Sequence, residues 1–205
     1  MGLGIDHKTV LNHLHKAGYK KKLDVWVPHE LSAKNMIDRI NICDALLKRN
    51  EIEPFLKRVI TAVTSVHEAK IDAEIDSQLY CEQLERLRQA IERKRPELIN
   101  RKDVVFHHDN ARPHTSLMTR QKLRELGWEV LMHPPYSPDI APSDYHLFRS
   151  LQNFLNGIKL LSKEACENNL IQFFNQKSQK FFTDSIMALP EKWRNIVDNN
   201  GTYLV

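Results

Sequence analysis

The stretch from Val104 to Asp144 constrains this chain more than any other. Val104-Val105-Phe106 is a short apolar run bounded by polar residues, which predicts a buried strand. Pro113 to Leu126 is patterned as a helix, and Gly127 stops it. Trp128 to Met132 predicts a second strand. Strand, helix and strand in that order imply two parallel strands joined by a crossover helix. Two strands are too few for a freestanding sheet. Either residues 61–66 supply a third, or the sheet is incomplete. Beyond the second strand, Pro134, Pro135, Pro138 and Pro142 stiffen a loop, and Asp144 opens the next helix, to about Asn156.

Two carboxylates mark this frame. Asp109 closes the first strand in His107-His108-Asp109, and Asp144 follows 34 residues after it. Acidic groups converging from separate elements at the carboxyl ends of strands can hold divalent metals. A pair of such metals activates an oxygen nucleophile and neutralises a leaving phosphate oxygen. Taken singly, each residue has a structural alternative. Asp144 suits a helix N-terminus, and Asp109-Asn110 suits a turn. His107, His108, His114 and His146 lie nearby but lack the i, i+4 spacing of a helical zinc motif. A metal centre of this kind also calls for a third carboxylate.

The rest of the chain is helical in pattern. Asp6 caps a helix over His7 to Ala17, whose polar face carries Lys8, Asn12, His13 and Lys16, with Lys20-Lys21-Lys22 following. It reads either as the recognition end of a helix-turn-helix or as a solvated amphipathic helix. Residues 23–31 read as an extended linker around Pro28. Ser32 caps a helix to about Arg49, with Met36, Ile40, Cys43 and Leu47 toward a core. Pro54 starts a short helix to about Ile60. Residues 77–94 form a helix with Tyr80, Leu84, Leu87 and Ile91 on one face. Ser162 caps a long helix to about Phe182, and Pro190 starts a last helix ending before Gly201.

The three cysteines are far apart and form no C-x-x-C pair, which argues against a disulfide framework or structural zinc. The formal charge of +4 is compatible with nucleic acid without requiring it. The sequence shows no signal peptide and no apolar run of about 18 residues. An intracellular protein, without membrane or small-molecule partners, is expected.

Two segments carry a resemblance. His-His-Asp-Asn-Ala-Arg-Pro-His (107–114) and His-Pro-Pro-Tyr-Ser-Pro-Asp-Ile-Ala-Pro-Ser-Asp-Tyr-His-Leu-Phe (133–148) resemble the signature blocks of mariner-family transposases. That family uses three aspartates, the last two separated by 34 residues. Trp26-Val27-Pro28-His29-Glu30-Leu31 resembles its linker signature, Gly4 to Tyr19 its second helix-turn-helix, and Asn200 to Val205 its C-terminus. One branch of the family is fused to a histone-methylating SET domain, and nothing here resembles a SET domain. The resemblance implies a ribonuclease-H-like α/β fold, metal-dependent DNA cleavage and strand transfer at terminal inverted repeats, and Mg2+ or Mn2+. It also implies homodimers and nuclear localisation. It makes Asp109 and Asp144 the second and third catalytic, metal-binding aspartates. It gives Trp26, Pro28 and His29 a part in linker and dimer contacts.

The departures matter as much. The family's first aspartate lies in a Thr-Gly-Asp-Glu block after a Phe-Leu-Lys-Arg segment. Here Phe55-Leu56-Lys57-Arg58-Val59-Ile60-Thr61 is followed by Ala62-Val63-Thr64, so Val63 stands at the aspartate's place. The expected organisation is a partial helix-turn-helix (1–22), a linker (23–31) and a catalytic domain (32–205) with an internal deletion near 62–76. Asp72, Glu74 or Asp76 on another element is a poor substitute. Cleavage is expected to be lost, and a marginal fold supported by self-association is expected. A residual DNA-binding or dimerising module and a non-functional remnant are the alternatives.

Overall fold

The computed structural model describes residues 19–22, 25–28, 30–61, 76–101, 103–159 and 162–204. Tyr19–Lys22 (β1) and Val25–Pro28 (β2) pair as an antiparallel hairpin, with Tyr19 opposite Pro28 and Lys22 opposite Val25. The hairpin joins the end of the expected DNA-binding segment to the linker motif. Ala33–Ile52 is α1, and a capping box starts it: Ser32 Oγ accepts from the Asn35 amide while Asn35 Oδ1 accepts from the Ser32 amide.

The expected helix from Pro54 to Ile60 is instead a single 3-10 turn, Leu56–Arg58, followed by the strand Val59–Thr61 (β3). β-Branched Val59, Ile60 and Thr61 favour extended backbone. This is the sheet's third strand, starting earlier than 61–66. The chain continues as α2 (Ser77–Lys94), α3 (Pro96–Asn100), β4 (Val105–His107), α4 (Arg112–Thr115), α5 (Leu117–Leu126) and β5 (Glu129–Val130). The strands are parallel in the order β3-β4-β5, with Thr61 beside His107 and Val105 beside Glu129. The helix expected over 113–126 is divided at Ser116, whose Oγ accepts from the Thr119 amide and begins a new helix. The strand expected over 128–132 shortens to two residues, although the Leu131 amide still donates to the Phe106 carbonyl.

Helices cover both faces of the sheet, as a parallel sheet requires. Along β4 the side chains alternate between two cores. Val104 and Phe106 pack with Tyr80, Leu84, Ile91, Leu123 and Trp128 under α2 and α5. Val105 packs on the other face with Cys43, Leu46, Phe55, Leu131, Ile140 and residues of the last helix.

After β5 and the proline loop, Ser143–Phe148 forms a π-helical turn that runs into α6 (Arg149–Leu155). The single helix expected from Ser162 to Phe182 is two, α7 (Lys163–Asn175) and α8 (Gln179–Met187). Ser178 caps the second, accepting from the Phe181 amide, and so breaks the run. The last helix, α9 (Leu189–Asp198), carries Pro190 in its first turn, inserts Trp193 and Ile196 into the first core and packs along α1.

The innermost line of α1 is Arg39, Cys43 and Leu46, whereas Met36, Ile40 and Leu47 are only partly buried. A fully buried arginine is tolerated here because every nitrogen is matched. Arg39 Nε donates to the Gly201 carbonyl (2.8 Å), and Nη1 donates to Ser137 Oγ and Asp139 Oδ1 (both 2.8 Å). Nη2 donates to Asp139 Oδ2 (2.6 Å) and the Thr202 carbonyl (3.1 Å). The two-pronged Arg39–Asp139 pair locks the proline loop and residues 201–204 onto α1. Leu204 also donates its amide to Asp139 (3.0 Å).

Candidate active site at the carboxyl edge of the sheet

Asp109 lies two residues beyond β4. Its Oδ1 accepts from the Ala111 amide (3.0 Å), an Asx turn that reverses the chain into α4, and contacts His114 Nδ1 at 2.5 Å. Tyr80 of α2 supports this turn from beneath. Its hydroxyl meets His108 Nδ1 (3.0 Å), and its ring packs on His114 at 4.1 Å between centroids. Asn110 donates to the His133 carbonyl (2.9 Å), which ties the turn to the chain leaving β5. Burial works to raise the Asp109 carboxyl, but the His114 contact and the Ala111 amide outweigh it and hold the group at about 2.

Asp144 enters from the other side, in the first turn of the π-helical segment. The proline loop aims it, and that loop is held by Arg39 through Ser137 and Asp139. π-Helical turns recur at functional sites because they re-aim side chains. The only hydrogen bond to the Asp144 carboxylate within the described structure is a long one from Ser143 Oγ (3.4 Å). Burial first, and then the negative charge of Asp109, raise its carboxyl to about 6. The charge of Asp109 therefore reaches Asp144.

The histidines form a neutral wall beside them. Burial, with neighbouring His133 and His108 adding to it, pushes His107 down to about 3. Burial and His114 push His108 to about 4, and burial pushes His133 to about 4. His107 Nε2 meets His133 Nδ1 at 3.2 Å, while His107 Nδ1 and Thr61 Oγ1 are buried without a hydrogen-bond partner among the described residues. His146 stacks on Phe181 at 4.1 Å and also leaves a buried nitrogen, Nε2, unpaired.

Two carboxylates within electrostatic reach, one held anionic and one raised by burial and then by its neighbour's charge, suit the binding of a cation. They do not complete a two-ion centre. Among the described residues, no three His, Cys, Asp or Glu side chains come together to hold a metal. Asp76 is no substitute, because its carboxylate caps α2, accepting from the Leu79 amide at 2.8 Å. Asp72, Glu74 and Val63 lie outside the described residues.

The remaining sequence expectations divide by location. Lys8, Asn12, His13, Lys16 and His29 lie outside the described residues. Lys20, Lys21 and Lys22 stand on β1, and Trp26 and Pro28 on β2. The site residues that sequence reading missed are Arg39, Tyr80 and His133. Arg39 left one trace, a charged residue interrupting the apolar face of α1. The three cysteines are free. Among the described residues, no helix is long and apolar enough to cross a membrane.

Acidic groups gathered past the ends of parallel strands, with helices on both faces, are the arrangement of ribonuclease-H-like catalytic domains. The chain matches the catalytic domain of Mos1 transposase, solved with raltegravir and Mn, with a TM-score of 0.80 and 36% identity over 87% of this chain and all of that one. In sequence it is 32% identical to the mariner Mos1 transposase of Drosophila mauritiana, over 98% of this chain and 72% of that protein. It is 34% identical to human histone-lysine N-methyltransferase SETMAR, over 98% of this chain. It spans only 36% of that protein's length. No protein-family model matches the sequence. The chain belongs to the mariner transposase family. Its alignment with Mos1 runs over 249 positions against 205 residues here, so at least 44 aligned positions have no residue in this chain.

Proposed function

We propose that this chain is a mariner transposase derivative that retains Asp109 and Asp144 as its catalytic and metal-binding aspartates but no longer cuts DNA efficiently. The observation that carries this reading is Val63, which stands where the family's first aspartate belongs. The alignment with Mos1, which leaves room for a deleted segment, supports it. Productive metal geometry tolerates displacements of only about 0.5 Å. A carboxylate supplied from another element is therefore a poor replacement.

Within this reading, Asp109 and Asp144 supply oxygens to Mg2+ or Mn2+ and hold it weakly. The ion, when bound, would polarise a phosphate oxygen. His114 holds the Asp109 carboxylate in place, and Tyr80 steadies the His108–His114 turn. Solved structures of Mos1 transposase include a paired-end complex with the left transposon end. Inverted-repeat DNA is the corresponding partner for this chain, bound as a homodimer in the nucleus. Binding without efficient cutting is the activity this reading leaves.

Incubation with supercoiled DNA carrying the inverted repeats of the source element, in Mn2+, tests it. Nicking should not exceed that of Asp109→Ala. Robust nicking that Asp109→Ala abolishes would overturn the reading.

A further inference from the structure

Three cations crowd the element that begins at Asp144. Lys192, on α9, places its ammonium 4.1 Å above the ring of Tyr145, the residue next to Asp144. Lys177, between α7 and α8, lies over the rings of Phe173 (4.4 Å) and Phe181 (4.7 Å) and donates to Ser150 Oγ (3.2 Å). Phe181 in turn stacks on His146. Between the two lysines along this element stands Arg149, exposed at the start of α6.

None of the three is within ion-pair distance of a carboxylate among the described residues. Lys34, Lys48, Arg88, Lys122 and Lys180 each hold an acidic partner at 2.6–2.9 Å. Asp139 and Glu191 act on Lys192 from a distance, neither within ion-pair reach, and the Asp139 carboxylate is already taken by Arg39. Arg149 adds repulsion to the cost of burying Lys192, and both effects lower the ammonium's pKa.

An aromatic ring fixes a lysine in place while using only one side of its ammonium. The remaining donors of Lys192 and Lys177 stay free for an anion. Cations held by their packing and crowded together, with no carboxylate in ion-pair contact, repel one another, and a polyanion laid over them relieves that repulsion.

We propose that Lys192, Arg149 and Lys177 form a strip that binds the phosphodiester backbone of DNA alongside Asp144. The inference rests on the reading of this chain as a DNA-binding transposase derivative, and it names the backbone contacts on the Asp144 side. These are positional contacts, which neutralise phosphates without reading bases.

The test uses the full chain and a mixed-sequence duplex of about 30 base pairs, with affinity measured across a salt series. The triple variant Lys177→Gln, Arg149→Gln, Lys192→Gln should bind at least about tenfold more weakly at 100 mM salt. The slope of log K against log salt should fall in magnitude by about 2 to 3, one contact per cation. A control carrying Lys34→Gln, Lys48→Gln and Arg88→Gln removes the same formal charge from ion-paired positions and should keep the wild-type slope.

Circular dichroism and thermal melts confirm that both variants fold. If the triple variant misfolds, the single exposed change Arg149→Gln, with an expected slope change of about 1, decides the matter. A wild-type slope in the triple variant, or an equal loss in the control, overturns the strip while leaving DNA binding intact. Failure of the unaltered chain to bind duplex at low salt overturns both the strip and the reading beneath it. A loss seen with anionic lipid vesicles but not with DNA also overturns the strip.

Discussion

The two aspartates of the site are held by regions of different finish. The Asp144 side is tied through its backbone frame, although His146 Nε2 stays unpaired among the described residues. Arg39 fastens the proline loop to α1 and to residues 201–204, each guanidinium nitrogen has a partner, and Trp193 and Ile196 seal the core below. The Asp109 side shares an edge with loose ends. Thr61 Oγ1 and His107 Nδ1 are buried and unpaired where β3 and β4 end side by side. Buried polar groups usually find partners, and among the described residues these two do not. The carboxyl on the tied framework is the one raised, while the one beside the looser edge is held low by its local contacts.

The largest expected effect falls on the tied side. Arg39→Ala strips Asp139 of its counter-charge, leaving it the Leu204 amide, removes the donor of the buried Gly201 carbonyl, and should cost about 3–5 kcal/mol in urea unfolding. A cost below about 1 kcal/mol would erase the contrast between the two regions. Gly201→Ala comes next. Gly201 sits at φ +79°, and a Cβ there would lie 2.5 Å from the Met36 carbonyl oxygen, against unyielding backbone. A loss of about 2–3 kcal/mol is expected by the same assay.

A third effect separates the aspartates by pH. The folded pKa of Asp144, about 6, lies above its ordinary 3.8, so the folded state binds this proton more tightly. The stability gained is full below about pH 4 and is lost as pH rises through about 6. Asp144→Asn should remove that dependence and raise stability at pH 8 by about 2 kcal/mol, read by melts across pH. Asp109 behaves oppositely, its contribution disappearing as pH falls from about 4 through 2. Melts that respond alike to Asp109→Asn and Asp144→Asn would show that the two sides share one environment. The smallest effect belongs to the looser side. Asp76→Ala removes the cap of α2 and should cost about 1 kcal/mol.

Local chemistry made much of this legible in the sequence. The caps at Ser32 and Ser162, the apolar line of α2 and the strand–helix–strand order all follow from neighbours in the chain. Asp109 and Asp144 were singled out by recognisable motifs rather than by local propensity. The third strand was misplaced because Phe55 to Thr61 suits a turn of helix as well as a strand, and only its bed against β4 decides. The break at residues 176–178 was hidden by apolar residues on both sides of it. Arg39 was unreadable for a deeper reason. Its partners lie about 100 and 160 residues away, and a charged residue inside a helical stripe gives no hint of them.

That remoteness has a consequence for synthesis. Arg39 is made 162 residues before Gly201, the carbonyl that receives its Nε. At about 5–20 residues per second, α1 emerges from the ribosome roughly 10–30 seconds before its guanidinium finds a home. During that interval the nascent chain carries an unsheltered apolar groove with a charge in its floor. A message cut short before codon 201 would leave that state permanent, and the cell's proteases would have a ready mark by which to remove the product.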